Sequence, residues 1–519
     1  PRHTQYQGPQ ANVQNHLQNA SLGRQLYHMT WPMLFGVLSL MTFQLTDSAF
    51  VGQLGRDPLA ALGFTVPMQQ LVSGMYVGLG IATTAIISRT LGQGDDMRAQ
   101  RLGGLVVAIG AGLAFLLCLS VWLLQNLILD LLGAEQALRP VIREYWAPWL
   151  LSAWTGAMVY FSYAVCRANG DTRLPGYMMI ITSLLNIALD PLYIFVFGWG
   201  LPGAAWATIT AFGIGALIVY PTLLKRQWLR FDLLQLQLAQ AVRQLGGIMA
   251  PAMVSQLMPP ISAMLATALV AGFGSAAVAA WGLGTRLEFF SIVVVLALTM
   301  SMPPMIGRML GAGEVEKIRK LVRIAVRFIV IWQLAIGLIW LAASGFVSGL
   351  FSRDAGVQDI LVSYLLRVPL SYSGLGVCIL MVSVNNALGM PMRALLISTL
   401  RLFACYLPLL WIGGQLAGLT GLMSGALVGN LLAGDHGLSV IPANNNVEVG
   451  IEMVKRYLQT GYDGEPRFQV FSTCTNWLKE RAKYRRRSPN TFGRENAERR
   501  ASPVKKHDHL MDATRYVIA

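Results

Sequence analysis

The chain has 519 residues, of which 54% are hydrophobic and only 13% are charged, and its net charge is +15. Because soluble domains carry about 25% charged residues, this composition excludes an ordinary soluble protein. Uncharged stretches such as 102–122 and 204–223 are long enough to cross a bilayer, which takes about 20 apolar residues. We therefore predict an all-α polytopic membrane protein embedded in the lipid bilayer.

Apolar runs and the residues that interrupt them predict twelve spanning helices. In chain order these spans cover 29–52, 64–88, 102–129, 145–166, 175–197, 203–224, 246–271, 277–305, 328–349, 368–386, 394–415 and 419–433. The twelfth is short because Asp435 and His436 interrupt it. Lys and Arg are concentrated after the even-numbered spans, so the positive-inside rule predicts that these loops and the N-terminus are cytoplasmic.

Four short motifs occur twice, at an offset of 219 residues for the first three pairs and 218 for the last. The pairs are GRDPLAALGF (55–64) and GSAAVAAWGL (274–283), SRTLGQGD (88–95) and GRMLGAGE (307–314), RANGD (167–171) and NALGM (386–390), and GLPGAAWAT (200–208) and GLTGLMSGA (418–426). An even number of spans per repeat gives both halves the same orientation, as in some transporters. We predict two six-helix bundles related by an internal repeat, with the twelfth helix truncated.

The composition changes where the last span ends. Residues 434–519 are rich in charged side chains, as in a soluble protein. We therefore divide the chain into an N-terminal cytoplasmic segment (1–22), an N-terminal six-helix bundle (23–230), a C-terminal helix bundle (231–433) and a small soluble fragment (434–519).

Two acids lie inside predicted spans, Asp47 and Asp190. A charged side chain at mid-bilayer costs at least about 2.5–3.5 kcal/mol, so such a residue is paired, protonated or facing water. Asn186 lies one helical turn before Asp190 on the same face and can hydrogen-bond to it, and Thr208 in the next span adds a hydroxyl. Such a group could load and release a proton or exchange it for Na⁺. The structural alternative is that each acid caps a helix broken by a kink, such as the one that Pro191 favours.

The second half lacks these acids. The residues at the repeat offsets from Asp47, Asn186 and Asp190 are Ala266, Ala404 and Pro408. Acids that occur in one half alone are more typical of a coupling site than of a shared scaffold.

Other polar residues in or near the spans are weaker candidates for a substrate cavity. They are Gln44, Gln69, Gln256, Arg286, Glu288 and Asn385. The alternative for each is a structural hydrogen bond between helices, which is common for polar side chains in membrane proteins.

The stretches WPMLFGVLSLMTFQLTDSAFVGQLG, SRTLGQGD, RANGDTRLP and NIALDPLYIFVFGWGLPGAAWAT resemble the multidrug and toxic compound extrusion (MATE) transporters. The resemblance covers about 23–433. It implies two bundles around a central cavity, no enzymatic activity and no cofactor. It also implies export of organic cations or other amphipathic drugs, driven by H⁺ or Na⁺ flowing inward, from a protein of the bacterial inner membrane that we expect to be monomeric.

The resemblance is strongest to the DNA-damage-inducible-like branch of that family. Its amino-lobe cation site would fall on Asp47, Asn186, Asp190 and Thr208, all of which are present. The carboxy-lobe acid of the other bacterial branch is missing, because span seven carries Gln256 instead. This combination favours coupling in the amino lobe, by protons.

The tail at about 440–519 resembles the C-terminal end of a phage terminase large subunit, most clearly in HDHLMDATRY. The resemblance implies an α/β-type fragment in which Asp508 or Asp512 corresponds to a metal-binding acid of a nuclease. Because the other acids of that site are missing, we expect a vestigial metal site and no nucleic-acid partner.

Two other functions fit the sequence. A lipid-precursor flippase would carry a larger, anionic substrate and would need basic residues inside its cavity. A transporter–terminase fusion that no longer works is the other alternative.

Overall fold

The computed structural model describes residues 21–438, apart from 132–135, 137, 233–235 and 352–353. The chain divides into two compact units after Leu438. The second unit lies outside the described residues, as do Asp508, Asp512 and the terminase-like stretch.

The described residues form fifteen α-helices and no β-strand. In chain order these helices are α1 (Leu22–Gln53), α2 (Arg56–Gly92), α3 (Asp96–Leu123), α4 (Gln125–Leu131), α5 (Arg139–Ala168), α6 (Arg173–Pro191), α7 (Gly200–Lys225), α8 (Leu238–Ala271), α9 (Ser275–Ser291), α10 (Val293–Gly311), α11 (Val315–Phe351), α12 (Ala355–Leu365), α13 (Tyr372–Ala387), α14 (Pro391–Thr399) and α15 (Leu407–Leu438). Single π-helical segments follow α6 and α14, at Leu192–Val196 and Leu400–Tyr406, and a 3₁₀ turn, Val368–Ser371, precedes α13.

Within this part of the chain, ten segments are long and apolar enough to cross a membrane. Helix α5 is not among them, since it is rich in Trp and Tyr, but it is 30 residues long and buries Trp146 and Phe161 completely. The last segment, Pro391–Gly434, reverses direction at Ala417 and Gly418, where φ is −140° and 60°, and so holds two passages. The ten segments, helix α5 and the second passage inside the last segment together make up the twelve passages that the sequence predicts.

The twelfth passage is longer than predicted. After the reversal at Gly418, α15 stays helical to Leu438, five residues past the predicted end, and includes Asp435 and His436. At 1.5 Å per residue these 20 residues extend for about 30 Å, roughly the thickness of the hydrocarbon core. The prediction that the twelfth helix is truncated was therefore wrong, because the polar residues Asp435 and His436 near its end do not stop the helix.

Glycines pack the twelfth passage against the eleventh. At four glycines, an added β-carbon would lie within 3.0 Å of backbone atoms of the other of these two passages. They are Gly413, Gly421, Gly425 and Gly429. Such close helix contact through small residues is typical of membrane proteins. The last passage is thus held by packing as well as by its own apolar character.

The eighth predicted span, 277–305, is not continuous. It divides into α9 and α10 at Ile292, and the neighbouring Ser291 is held by side chains of α11. Gln333 donates to the Ser291 carbonyl at 3.2 Å, and the Trp340 indole donates to the Ser291 hydroxyl at 2.8 Å. The break is stabilised by residues from another passage, so the local sequence does not reveal it.

The internal repeat is visible in the backbone. Each of the four sequence motifs contains a glycine with positive φ, and the angles agree within each pair: Gly55 (115°) and Gly274 (102°), Gly94 (82°) and Gly313 (76°), Gly170 (85°) and Gly389 (75°), Gly200 (57°) and Gly418 (60°). Only glycine adopts such angles readily, which explains why these positions keep glycine in both halves. The loops between passages are therefore built alike in the two halves.

Four helices make the main contacts between the two halves. Helix α1 packs on α10, and α2 packs on both α8 and α10. Within the first half α1 packs on α6, and α2 and α7 pack on α5, while in the second half α13 packs on α10, α11 and α15.

The ends of α2 and α10 cross at backbone contact, in a feature we call the glycine crossing. A β-carbon on Gly92 would lie closer than 3.0 Å to the carbonyl oxygen of Arg308, and one on Gly311 equally close to that of Arg89. Each residue lies 219 positions from its counterpart, so the crossing is symmetric under the repeat. The Arg308 guanidinium also donates to the carbonyl of Asn169, which ties the end of α5 to the crossing.

Candidate functional site

Asp190 lies at the end of α6, directly before Pro191 and the π-helical segment. Proline has no N–H and cannot donate to the carbonyl four residues earlier, so the regular helix is interrupted here. π-Helical turns of this kind are frequent at functional sites. The side chain of Asp190 is completely buried, with a relative exposure of 0%.

Asn186, one turn earlier and also buried, connects Asp190 to α7. Its amide orientation is assigned from the hydrogen bonds, because only one orientation gives both polar atoms suitable partners. In that orientation its nitrogen donates to Asp190 Oδ2 at 2.9 Å, and its oxygen accepts from the N–H of Thr208 at 3.2 Å and from the Thr208 hydroxyl at 3.0 Å. Three of the four predicted coupling residues are therefore joined.

Asp47, the fourth predicted residue, reaches the same region from α1. It is half-buried, and its Oδ1 has no hydrogen-bond partner among the described residues. Its carboxyl group lies near that of Asp190, and the hydroxyl of Tyr145 in α5 lies near both. Four passages thus bring polar groups to one place in the first bundle.

Apolar side chains surround this group. Tyr145 belongs to a buried cluster that includes Val51, Trp146, Ile194 and Leu201. Asp190 is therefore shielded from water, and charges in such surroundings interact more strongly than in solution. Two ionised carboxylates here would repel each other, and a bound proton or cation would relieve that repulsion.

A second feature is a cavity of about 280 Å³ between α2 and α5 of the first half and α8, α10, α13 and α14 of the second. Its polar lining includes Arg167, Gln256, Asn386 and Arg401. Neither Asp47 nor Asp190 is among the described residues that line it. The acid site and the cavity are therefore separate.

The weaker candidates from the sequence divide between the cavity and other places. Gln256 lines the cavity; those that do not are Gln44, Gln69, Arg286, Glu288 and Asn385. Gln44, Gln69 and Arg286 lie on exposed helix faces. Glu288 accepts a hydrogen bond from the Tyr364 hydroxyl at 3.3 Å, and the buried Asn385 donates to the carbonyl of Met381 at 2.8 Å.

Sequence reasoning missed three residues of these sites. In the sequence, Tyr145 and Tyr160 look like ordinary aromatic residues of a membrane span, and no local pattern indicates that they belong to a site. Arg167 reads as a basic residue after the fourth span, but it belongs to α5 and is only 3% exposed. A local signal for Arg167 is its place in the repeated motif RANGD, because the equivalent position in the second copy, NALGM, is the polar Asn386.

Two similar helical bundles around a cavity, with a buried acidic group in one of them, are the architecture of a membrane transporter. The sequence model of the MatE family matches the chain twice, over residues 32–192 and 251–412. The two matches begin 219 residues apart, which is the offset of the repeat. The chain belongs to the MatE family.

Known relatives cover most of the chain. A protein named FAD transporter from Shewanella oneidensis is 32% identical over 432 residues, which is 80% of this chain and 94% of the relative. The multidrug export protein MepA of Staphylococcus aureus is 23% identical over 418 residues, covering 78% and 90%. The crystal structure of the Vibrio cholerae MATE transporter VcmN in its bent form is 55% identical, with a TM-score of 0.79 and coverage of 80% and 95%.

Proposed function

We propose that the chain exports drugs and other amphipathic organic compounds, organic cations among them, in exchange for H⁺ or Na⁺ entering the cell. The observation that carries this proposal is the buried Asp190, bridged by Asn186 to Thr208 and facing Asp47, in a MatE chain with a separate cavity. The names of the relatives, a multidrug export protein and a FAD transporter, support an organic substrate.

The mechanism is alternating access coupled to the charge of the acid site. A cation can drive a conformational change only if it binds one state better than the other. Neutralising Asp190 removes the repulsion from Asp47 and alters the hydrogen bond from Asn186, which links α6 to α7. The state of the first bundle then depends on cation binding, and by reciprocity substrate affinity depends on it as well.

The direction of the Asn186 amide favours H⁺ as the coupling ion. Its nitrogen faces Asp190 and its oxygen faces Thr208. Na⁺ would need oxygen ligands, so the amide would have to turn its oxygen towards Asp190, which loses the bond from the Thr208 N–H and leaves only a bond from its nitrogen to the Thr208 hydroxyl. A proton needs one carboxylate oxygen and leaves the amide in place. These features support placing the chain in the DNA-damage-inducible-like branch.

The proposal also includes the orientation and the assembly state. We place the N-terminus in the cytoplasm of a bacterial cell because Lys and Arg follow the even-numbered passages. We propose that the monomer is the working unit, because the acid site and the cavity are both complete within one chain.

The experiment is ethidium efflux from pump-deficient bacteria that express the full chain, its Asp190→Asn variant or its Asp130→Asn variant. Asp130 is an exposed aspartate that pairs with Arg139 at 2.6 Å, so it controls for the loss of one carboxylate. We expect Asp190→Asn to reduce efflux at least tenfold and Asp130→Asn to leave it unchanged. Equal efflux by all three, at equal amounts in the membrane, would refute the role of Asp190.

The same proteins in proteoliposomes distinguish the two ions. We expect an imposed pH gradient to drive ethidium transport and an imposed Na⁺ gradient at equal pH to drive none. Transport that follows the Na⁺ gradient alone would overturn the assignment of H⁺.

A further inference from the structure

We propose that the cavity between the bundles contains an oxyanion site formed by Arg167 and Arg401, which binds a phosphate or carboxylate group of an amphipathic substrate. The inference rests on the proposed export function and adds a substrate class to it. It concerns the cavity and is independent of the acid site around Asp190.

Arg167 is the main observation. Its side chain is buried at 3% exposure, lines the cavity and lies over the ring of Tyr160 at 5.2 Å from the ring centre. Its Nη1 has no hydrogen-bond partner among the described residues and is enclosed, so a ligand reaches that donor only after the side chain shifts. A buried guanidinium with an unused donor is costly unless something occupies it. Because Arg presents a planar fork of donors, the group that satisfies it best is an oxyanion.

Arg401 also lines the cavity, from the π-helical segment that follows α14. It interacts electrostatically with Glu288, which does not line the cavity. Glu288 therefore offsets part of the charge of Arg401. It makes no hydrogen bond or ion pair with Arg167 among the described residues. Two guanidinium groups from different halves of the repeat thus face one space.

The rest of the lining agrees with an amphipathic anion. No Asp or Glu is present among the described residues that line the cavity, so no carboxylate there competes with a bound oxyanion for the two arginines. Asn386 and Gln256 add amide groups to the polar lining. Leu296, Met300 and other apolar side chains cover the remaining wall and suit a ring or an alkyl chain.

The cavity volume limits what is enclosed. At about 280 Å³ it lies near the lower end of the roughly 300–1,000 Å³ usual for ligand pockets. A nucleotide-sized molecule would place its phosphate and part of its apolar body inside and extend towards the opening.

The test is equilibrium binding to the purified full chain in detergent, with ligand pairs that differ by one phosphate. Flavin mononucleotide and riboflavin form the water-soluble pair, and oleoyl lysophosphatidate and monooleoylglycerol form the lipid pair. We expect the phosphate-bearing member of at least one pair to bind about tenfold more tightly or better, as charge-assisted hydrogen bonds would give. The pair that shows the preference identifies the source of the oxyanion.

Variants test the assignment to the two arginines. We expect Arg167→Gln and Arg401→Gln each to abolish the preference for the phosphate, with Arg167→Lys keeping part of it. Arg173→Gln removes an exposed arginine six residues from Arg167 and serves as the matched control. Gel filtration checks that each variant is folded.

Equal binding of both members in both pairs by the wild-type chain would overturn the inference. A preference that survives in both glutamine variants would overturn the assignment to Arg167 and Arg401. Neither result affects the proposed export function, which is tested by ethidium efflux and by Asp190→Asn. Failure of efflux with an intact phosphate preference would reject the export proposal and leave the oxyanion site standing.

Discussion

Replacing Gly311 by alanine tests whether the glycine crossing holds the two halves together at one end of the molecule. The new β-carbon would meet the carbonyl oxygen of Arg89 at less than 3.0 Å, a separation that real β-carbons essentially never show. Because the obstacle is backbone, no side-chain rotation relieves it, and the ends of α2 and α10 must move apart.

The size of the effect follows from the cost of overpacking. Forcing an extra carbon into a tight contact costs about 1–3 kcal/mol. Each 1.4 kcal/mol is a factor of about ten in an equilibrium constant, so the population with this end closed falls by roughly fivefold to 150-fold relative to the open one. Gly92→Ala acts through the symmetric contact with Arg308 and is expected to have a similar effect.

The measurement is the distance between spin labels at Gln93 and Ala312, two exposed residues next to the crossing, in a chain whose five cysteines have been replaced. We expect Gly311→Ala to add a population at longer distance. Gly112→Ala is the matched control, because a β-carbon at Gly112 would meet nothing within 4 Å. Identical distance distributions in the wild type, Gly311→Ala and Gly112→Ala would refute the reasoning.

Two further substitutions probe the first half. Thr208→Val keeps the side-chain shape but removes the hydroxyl next to Asn186, so we expect a partial loss of ethidium efflux, smaller than that of Asp190→Asn; unchanged efflux would contradict the bridge. Asp171→Ala removes the acceptor for the backbone N–H groups of α6 and the 2.5 Å ion pair with Arg226. We expect the free energy of unfolding of Asp171→Ala to fall by about 1–3 kcal/mol. Asp171→Asn keeps an oxygen acceptor at the start of α6 and should lose less. Equal losses in the two variants would show that this helix cap is unimportant.

The passages and the repeat could be read from the sequence because both depend on local signals. Apolar runs locate each passage, although they miss the helix ends: the second span was predicted as 64–88, and α2 covers Arg56–Gly92. The ends are polar because they extend beyond the apolar layer, so hydropathy does not detect them. The repeat glycines were visible because only glycine tolerates their positive φ.

The polar sites were predictable only where their residues are close in sequence. Asn186 and Asp190 are one turn apart and precede a proline, which makes their contact readable. Tyr145 and Arg167 reach their sites from another passage, and no local pattern encodes which helix faces meet. For the same reason Gln44 and Gln69 could not be placed, and the structure puts them on exposed faces.

The acid site has no counterpart in the second half, where Ala266, Ala404 and Pro408 occupy the repeat positions. If one cation enters per cycle in exchange for an uncharged substrate, a membrane potential of 100 mV contributes about 2.3 kcal/mol. That energy sustains a concentration ratio of about 50 between the two sides. A steeper ratio requires a concentration gradient of the cation, or loading of both Asp47 and Asp190 in one turn. With a cation site in one half only, one cation per cycle would limit the gradient of an uncharged substrate that the membrane potential alone can maintain.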